Sequence, residues 1–196
     1  LFPIKDALQY VPSAPLGLSG TGTQGANLWN ADNPEFGATF SIYLKDVDST
    51  LKEKRQKMEK ELEKKKEAVT YPAVEELRAE ANEDKEQLIW IIRDASGNEL
   101  RRLTSSPKKG ISRISWDLRS TTTSPIKISK SKPGRYSSPD AGFLVSPGLY
   151  SVEVVSLKNG VLTQLIEKTN FNVVGLNNQT LIATNNEELT QFRKEV

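Results

Sequence analysis

The chain has 196 residues, 27 of them basic and 25 acidic, and a formal net charge of +2. Because charges of both signs are interleaved, the composition does not favour a nucleic-acid-binding protein. Cysteine and histidine are both absent, which excludes disulfides, zinc–thiolate sites and catalytic sites built on Ser–His or Cys–His pairs. No apolar run approaches the roughly 20 residues of a membrane-spanning helix.

The first part of the chain is rich in Pro, Gly, Ser and Thr. This composition predicts an extended lead-in or linker over residues 1–33 that joins no core, with a possible short edge strand at residues 26–29. Trp29 lies in a Gly- and Asn-rich part of it and is the aromatic residue best placed to stack on a sugar ring, although packing inside the protein is the simpler interpretation. Because the chain starts at Leu1 without a targeting signal, we expect it to be a piece of a longer protein.

A strand is predicted for residues 36–44, where apolar side chains alternate, and a helical hairpin for about residues 47–84. Pro72 suits the first turn of the second helix. Residues 52–67 hold eight basic and five acidic residues, a net charge of +3, whereas residues 75–86 hold two basic and six acidic residues, a net charge of −4. Opposite charges favour antiparallel helices, and thin apolar stripes indicate that the hairpin needs the sheet or a partner for support.

Three consecutive strands are predicted at the centre of the fold. Residues 88–92 are apolar on both faces, which indicates a strand covered on both sides. A turn leads to the second strand at residues 99–103, and residues 111–118 alternate between apolar and polar side chains. We expect Trp90 and Trp116 to be core residues, because both lie on apolar strand faces.

Residues 120–142 are polar and aperiodic, which predicts a long loop that is either functional or mobile. Its basic residues can meet an acidic polymer, although a solvated loop is the simpler interpretation. They are Lys127, Lys130, Lys132 and Arg135. Beyond the loop, a strand leads into Asn159 and Gly160, a pair that fits a type I′ hairpin turn, and strands follow at residues 161–167 and 171–174.

Residues 177–196 predict a linker and the start of a C-terminal helix. Thr184 or Asn185 can cap this helix. Asn178 begins a glycosylation sequon, but chance matches to so short a motif are common. The apolar face of the helix consists of Leu189, Phe192 and Val196.

Two pairs of aspartates are candidate sites. Asp94 and Asp117 can in principle form the carboxylate pair of a glycosidase, but one falls in a turn and the other on the solvent side of a strand. Asp46 and Asp48 lack the glycine and the spaced oxygens of a calcium loop. Structural hydrogen bonding is the simpler role for Asp94 and Asp117, and we predict no catalytic residue, no metal site and no cofactor.

A segment that runs from NELRRL through SWDLRS to PGLYSVEV resembles the immunoglobulin-like domain of flagellar hook-capping proteins and its secreted relatives. In that family, a hairpin that ends in a basic–leucine step is followed by a glycine, a Trp-Asp strand and a Pro-Gly-x-Tyr motif. The matching residues are Leu100, Arg102, Leu103, Gly110, Trp116, Asp117, Pro147, Gly148 and Tyr150.

A longer resemblance rests on the order of four short motifs. They are PIKDAL at residues 3–8, NPEFGA at residues 33–38, EELR at residues 75–78 and WDLR at residues 116–119. This order resembles the region behind the β-propeller in large secreted bacterial proteins with sortilin-like (BNR, Asp-box) repeats, which are often labelled glycosyl hydrolases. The chain has no Asp-box repeat, so any propeller chemistry would lie outside it.

These observations predict a mainly β fold: an immunoglobulin- or fibronectin-III-like β-sandwich over residues 34–176, with the helical hairpin inserted at about residues 47–84. The resemblance implies a secreted, periplasmic or cell-surface location. Two functions stay open. One is a non-catalytic accessory domain that packs on a propeller and supports it or mediates protein interaction, with a homodimer through the helices as a further option. The other is a carbohydrate-binding module that uses Trp29. We expect the chain neither to bind nucleic acid nor to span a membrane.

Overall fold

The structure is a computed structural model, and it describes residues 1–10, 36–122, 125, 142–176 and 185–195. Those residues contain seven strands and three helices. In chain order they are β1 (Ala7–Gln9), β2 (Ala38–Leu44), α1 (Leu51–Lys65), α2 (Val74–Asn82), β3 (Gln87–Asp94), β4 (Glu99–Ser105), β5 (Gly110–Trp116), β6 (Gly148–Lys158), β7 (Val161–Gly175) and α3 (Asn186–Glu195). The predicted mainly β character is confirmed.

The strands form two sheets whose facing side chains make the core. The larger sheet has five strands in the order β1-β7-β6-β3-β4, with β1 parallel to β7 and the other pairs antiparallel, and the smaller sheet is the antiparallel pair β2–β5. Phe40 of the smaller sheet stacks on Trp90 of the larger one, with ring centroids 5.9 Å apart. Trp116 of the smaller sheet meets Phe171 of β7 edge to face at 6.1 Å. Aromatic contacts therefore join the two sheets.

The inner face of the smaller sheet follows the alternation that the sequence predicts. On β2, the side chains of Ala38, Phe40 and Ile42 are at most 1 % exposed. The core assignments of Trp90 and Trp116 are confirmed as well, because their exposed fractions are 1 % and 0 %. Burial of two indole rings contributes a large apolar area to so small a core.

The strand β3 was expected to be covered on both faces, and this prediction is wrong for one of them. Leu88, Trp90 and Ile92 are buried, but Ile89 and Ile91 on the opposite face are only half-buried. On that face Ile91 is paired with Arg102 and Glu153, and Ile89 with Thr104 and Val155, so polar neighbours leave the isoleucines partly open to water.

The first ten residues take part in the fold, which corrects the expectation that residues 1–33 form only a lead-in. Ala7 lies in β1, pairs in parallel with β7, and is 2 % exposed. Before it, the backbone N–H of Phe2 donates to the carbonyl oxygen of Ser41 on β2 at 2.9 Å. The segment thus passes from the edge of the smaller sheet to the edge of the larger one. Sheet edges leave backbone groups free to pair, which is why so short a run can join them.

The predicted type I′ turn between β6 and β7 is confirmed. Asn159 and Gly160 both have positive φ angles, 49° and 76°, as this turn requires. The returning chain was predicted as two strands, at residues 161–167 and 171–174, and it is one continuous strand. Register shifts opposite residues 152–155 absorb its extra residues as bulges, so pairing continues where the side-chain alternation breaks.

Tyr150 secures the start of β6. Its hydroxyl donates a hydrogen bond to the carbonyl oxygen of Ser146, 2.5 Å away. Its ring lies 5.7 Å from that of Trp116 and 6.2 Å from that of Phe171, measured between centroids. Burial raises the pKa of the Tyr150 phenol to about 12. This side chain therefore ties the loop before β6 to the aromatic core.

The helix α3 begins as the sequence predicts. The side-chain oxygen of Asn185 accepts from the backbone N–H of Glu188 at 3.2 Å, so Asn185 is the cap. Arg193 then donates to the carbonyl oxygen of Leu144 at 3.0 Å. Phe192, on the predicted apolar face, remains 63 % exposed.

Candidate interaction surface

The two helices between β2 and β3 form an arm that buries none of its own residues. We call residues 51–82, which comprise α1, α2 and the connection between them, the helical arm. Neither α1 nor α2 contains a buried residue. Its exposed apolar side chains are Leu51 (42 %), Met58 (59 %), Val69 (41 %), Tyr71 (81 %) and Val74 (63 %). The thin stripes predicted from the sequence are therefore largely open to solvent.

Local hydrogen bonds define where α1 begins and ends. Thr50 and Glu53 form a reciprocal capping box: the Thr50 hydroxyl accepts from Glu53 N–H at 3.2 Å, and the Glu53 carboxylate accepts from Thr50 N–H at 3.0 Å. At the other end, Lys66 takes a left-handed conformation with a φ of 59°. Its N–H donates to the carbonyl oxygen of Glu63 at 3.0 Å, which closes the helix.

The second helix starts slightly later than predicted. Pro72 was expected in the first turn of α2, but Ala73 is the N-cap and Val74 is the first helical residue. Ala73 has no side-chain oxygen to accept a hydrogen bond. Instead, the Glu76 carboxylate accepts from its backbone N–H at 3.2 Å. Pro72 therefore lies just outside α2, where its fixed φ sets the direction in which the chain enters the helix.

One arginine joins the two helices. The Arg55 guanidinium donates to both carboxylate oxygens of Glu80 at 2.6 and 3.1 Å, and to Glu59 at 2.6 Å. Because Arg55 is near the start of α1 and Glu80 near the end of α2, the helices are antiparallel, as their opposite charges predict. The hydrogen bond from Arg55 and its positive charge hold the pKa of the Glu80 carboxyl below its usual range.

The base of the arm is attached to one end of the sheets by polar contacts. Asp48, just before α1, forms an ion pair of 2.6 Å with Lys158 at the end of β6. The hydrogen bond from Lys158 lowers the pKa of Asp48. Just after α2, Glu86 accepts a hydrogen bond from the buried Ser156 of β6 at 2.5 Å. The arm and the β6–β7 turn therefore lie at the same end of the molecule.

The tip of the β6–β7 hairpin adds further apolar surface at this end. Val161 and Leu162 are each 63 % exposed, and Leu165 is 43 % exposed. Two hairpins, one helical and one of strands, thus start from the same end of the molecule and carry exposed apolar side chains. Exposed apolar patches of this kind are typical of surfaces that bind another protein.

The acidic candidates take part in hydrogen bonds and ion pairs within the chain. Asp94 accepts from the backbone N–H of Asn98 at 2.8 Å and closes the β3–β4 turn, and Asp117 accepts from the N–H of Arg119 at 3.2 Å. Among the described residues, no group of carboxylates is arranged to hold a metal ion. Asp46 instead forms an ion pair with a lysine: its carboxylate lies 2.8 Å from Lys109 Nζ.

Several residues singled out in the sequence lie outside the described residues. They are the edge strand at residues 26–29 with Trp29, the basic residues Lys127, Lys130, Lys132 and Arg135, the sequon at Asn178, and Thr184 and Val196 near the C-terminus. The role of Trp29 in sugar binding therefore stays a prediction. Sequence reasoning overlooked Tyr71, the most exposed of the large apolar residues named above. Its place in the break between two charged helices was the signal that it would project.

Comparisons with known proteins identify no relative: no family model, no curated protein and no solved structure matches the chain. In the part of the chain that the structure describes, no helix has the length and apolar character needed to cross a membrane. The geometry of the arm is therefore the main basis for a functional conclusion.

Proposed function

We propose that the chain is a non-catalytic accessory domain of a larger secreted propeller protein, and that its helical arm is the surface that binds the propeller or another protein. One observation carries this proposal. The arm projects from the sheets, holds five exposed apolar side chains and buries none of its helical residues.

The energetics of short helices favour a partner. The helices α1 and α2 have 15 and 9 residues, and isolated helices shorter than roughly 12–15 residues are marginal in water. Exposed ion pairs add little, because solvent screens them. Burying apolar side chains contributes about 25 cal/mol per Å², so a partner that covers Met58, Tyr71 and Val74 would stabilise the arm.

The arrangement of the strands supports the finer assignment of an immunoglobulin-like sandwich. In that fold one sheet contains the third, sixth and seventh strands and the other contains the first, second, fourth and fifth. The neighbours β7-β6-β3 and the pair β2–β5 agree with this division, whereas β1 and β4 lie at the edges of the larger sheet. Two side chains agree as well: Trp90 is buried on β3, and the hydrogen bond from Tyr150 to Ser146 has the form of the tyrosine corner of such domains.

The position of the arm supports a binding role. In immunoglobulin-like domains the connection from the second to the third strand and the turn between the sixth and seventh lie at one end, which variable domains use for recognition. Here the first connection is the arm and the second is the turn at Asn159 and Gly160. The ion pair between Asp48 and Lys158 joins their bases.

Amide exchange in the 196-residue chain and in the full natural polypeptide tests the proposal. We expect amides of the arm to exchange quickly in the chain alone and to be protected in the full polypeptide. Met58→Asp and Val74→Asp should remove that protection, while the matched surface variant Tyr43→Asp, at a residue 58 % exposed on β2, should not. Equal exchange of the arm in both proteins would contradict the proposal.

A further inference from the structure

A cleft of about 560 Å³ lies on the side of the molecule where the first residues of the chain pass β2 and β5. Its lining residues are Pro3, Lys5, Asp6, Leu8, Tyr10, Gly37, Thr39, Ser41 and Arg113. This volume falls within the roughly 300–1,000 Å³ of small-molecule sites. The cleft is away from the helical arm, since none of its lining residues belongs to residues 51–82.

Three side chains of the cleft have hydrogen-bonding groups that no described residue uses. Arg113 is directly opposite Ser41 in the β2–β5 register. Within the described ranges, neither the Arg113 guanidinium, the Ser41 hydroxyl nor the Lys5 ammonium has an ion-pair or side-chain hydrogen-bond partner. Asp6 is partly occupied, because Asn172 donates to its carboxylate at 3.3 Å.

The remaining wall of the cleft is apolar. Leu8 is 46 % exposed on β1, and Tyr10 is half-buried with its ring edge-on to Phe36, 5.2 Å between centroids. A tyrosine ring offers an apolar face and a hydroxyl together. Pro3 completes this side. The lining of the cleft thus combines cationic and hydroxyl-bearing side chains with apolar ones.

This combination favours a ligand that carries both carboxylates and hydroxyl groups. Arginine binds a carboxylate through two parallel hydrogen bonds, and lysine adds a second positive charge. The Ser41 hydroxyl can donate to and accept from ligand hydroxyls, and the Asp6 carboxylate can accept from them. A peptide that adds as a strand to β2 would need its edge free, but the carbonyl oxygen of Ser41 already accepts from Phe2.

We propose that this cleft binds an acidic saccharide, with Arg113 and Lys5 on its carboxylates, Ser41 and Asp6 on its hydroxyl groups, and Leu8 and Tyr10 against the apolar face of a sugar ring. The site is independent of the helical arm. Loss of protein binding by the arm would therefore leave it intact.

Calorimetric titration of the 196-residue chain with three probes tests this assignment. They are trigalacturonate, the neutral maltotriose and an acidic triglutamate peptide. We expect trigalacturonate to bind at least roughly tenfold more tightly than the other two, because only it offers carboxylates and sugar hydroxyls together. Arg113→Gln should weaken its binding by a similar factor, and Ser41→Ala should weaken it less. The control Lys168→Gln removes an exposed positive charge on β7 and should leave the Kd unchanged.

Three results would overturn the assignment. The first is triglutamate binding as tightly as trigalacturonate, which would show a general attraction of anions. The second is an Arg113→Gln variant that binds trigalacturonate as tightly as the parent chain does and unfolds at the same temperature. The third is no heat of binding for trigalacturonate at millimolar concentration.

Discussion

Arg55 holds Glu80 through two hydrogen bonds, of 2.6 Å from Nε and 3.1 Å from Nη2. The first residue is near the start of α1 and the second near the end of α2, and their positions are 25 apart in sequence. Among the described residues no other ion pair joins the two helices. Planar two-point contact fixes the orientation of both partners, so this pair sets how the helices lie against each other.

Arg55→Gln should loosen the arm without unfolding the sheets. The helices bury no residue, so we expect amide exchange in residues 51–82 to rise by up to about fivefold, the range for loss of an ion pair near the surface. Exchange in β3 should stay the same. Hydrogen exchange with mass spectrometry measures both segments, and Lys57→Gln is the control, since it removes a positive charge from the same helix. Uniform acceleration over arm and sheets would show that the arm is part of the cooperative core.

The same ion pair predicts a dependence on acid. The hydrogen bond and charge of Arg55 lower the folded-state pKa of Glu80 below its ordinary value of 4.5. A lowered carboxyl pKa stabilises the folded arm at pH values above the ordinary pKa. This stabilisation is lost as the pH falls through the lowered pKa. A carbon-13 NMR titration should therefore give a lower midpoint for Glu80 in the parent chain than in Arg55→Gln. Identical midpoints would show that the pair does not persist in solution.

Local sequence patterns predicted the elements in which apolar residues repeat regularly, and those defined by contacts between residues close in sequence. Phe40 and Ile42 alternate with polar residues on β2, and they are buried as a strand period requires. Asn159 and Gly160 identify their turn by chemistry alone, because only residues that tolerate positive φ fit it. Asn185 identifies the start of α3 through its capping oxygen.

Such local patterns do not predict pairing between strands that are far apart in sequence. Ala7 pairs with Val173 across almost the whole chain, and three residues are too few to show a period. The bulges opposite Val154 let β7 continue where its alternation suggests a break. Lys5 and Arg113 both line the proposed cleft, and no signal near either residue indicates that the two lie on one surface.

Tyr150→Phe tests the contact that ties the loop to β6. Loss of the hydrogen bond to the Ser146 carbonyl should lower the free energy of unfolding by about 0.5–1.5 kcal/mol at neutral pH. Burial raises the pKa of this phenol from 10.0 to about 12, so the folded state keeps a proton that the unfolded state loses. The stability of the parent chain should therefore fall as the pH rises from 10 to about 12. Urea unfolding at pH 8 and at pH 11 should show a smaller fall for Tyr150→Phe, and equal falls would show that other groups cause it.

Gly37 and Gly97 predict a contrast between two alanine substitutions. Both glycines have positive φ, 108° and 86°. A Cβ on Gly37 would overlap the carbonyl oxygen of Trp116, whereas a Cβ on Gly97 meets open space. Gly97→Ala should therefore lower the free energy of unfolding by only about 1–2 kcal/mol, the penalty of the backbone conformation. Gly37→Ala should lower it further, because the β2–β5 pair must also separate at this point. Urea unfolding that ranks the two in the opposite order would refute the close approach.

Trp116→Ala should be the most damaging of these changes. The indole is fully buried, contacts Tyr150 and Phe171 edge to face, and donates from Nε1 to the carbonyl oxygen of Arg119 at 2.8 Å. Truncation of a buried tryptophan leaves a cavity and typically lowers the free energy of unfolding by about 3–5 kcal/mol, a large part of the 5–15 kcal/mol of a typical domain. Trp116→Phe keeps an aromatic ring but loses the hydrogen bond, so its effect should be smaller. Tyr71→Ala, at a residue 81 % exposed, is the control and should leave the thermal midpoint unchanged. If Trp116→Ala and Tyr71→Ala have the same thermal midpoint, the Trp116 side chain does not hold the two sheets together.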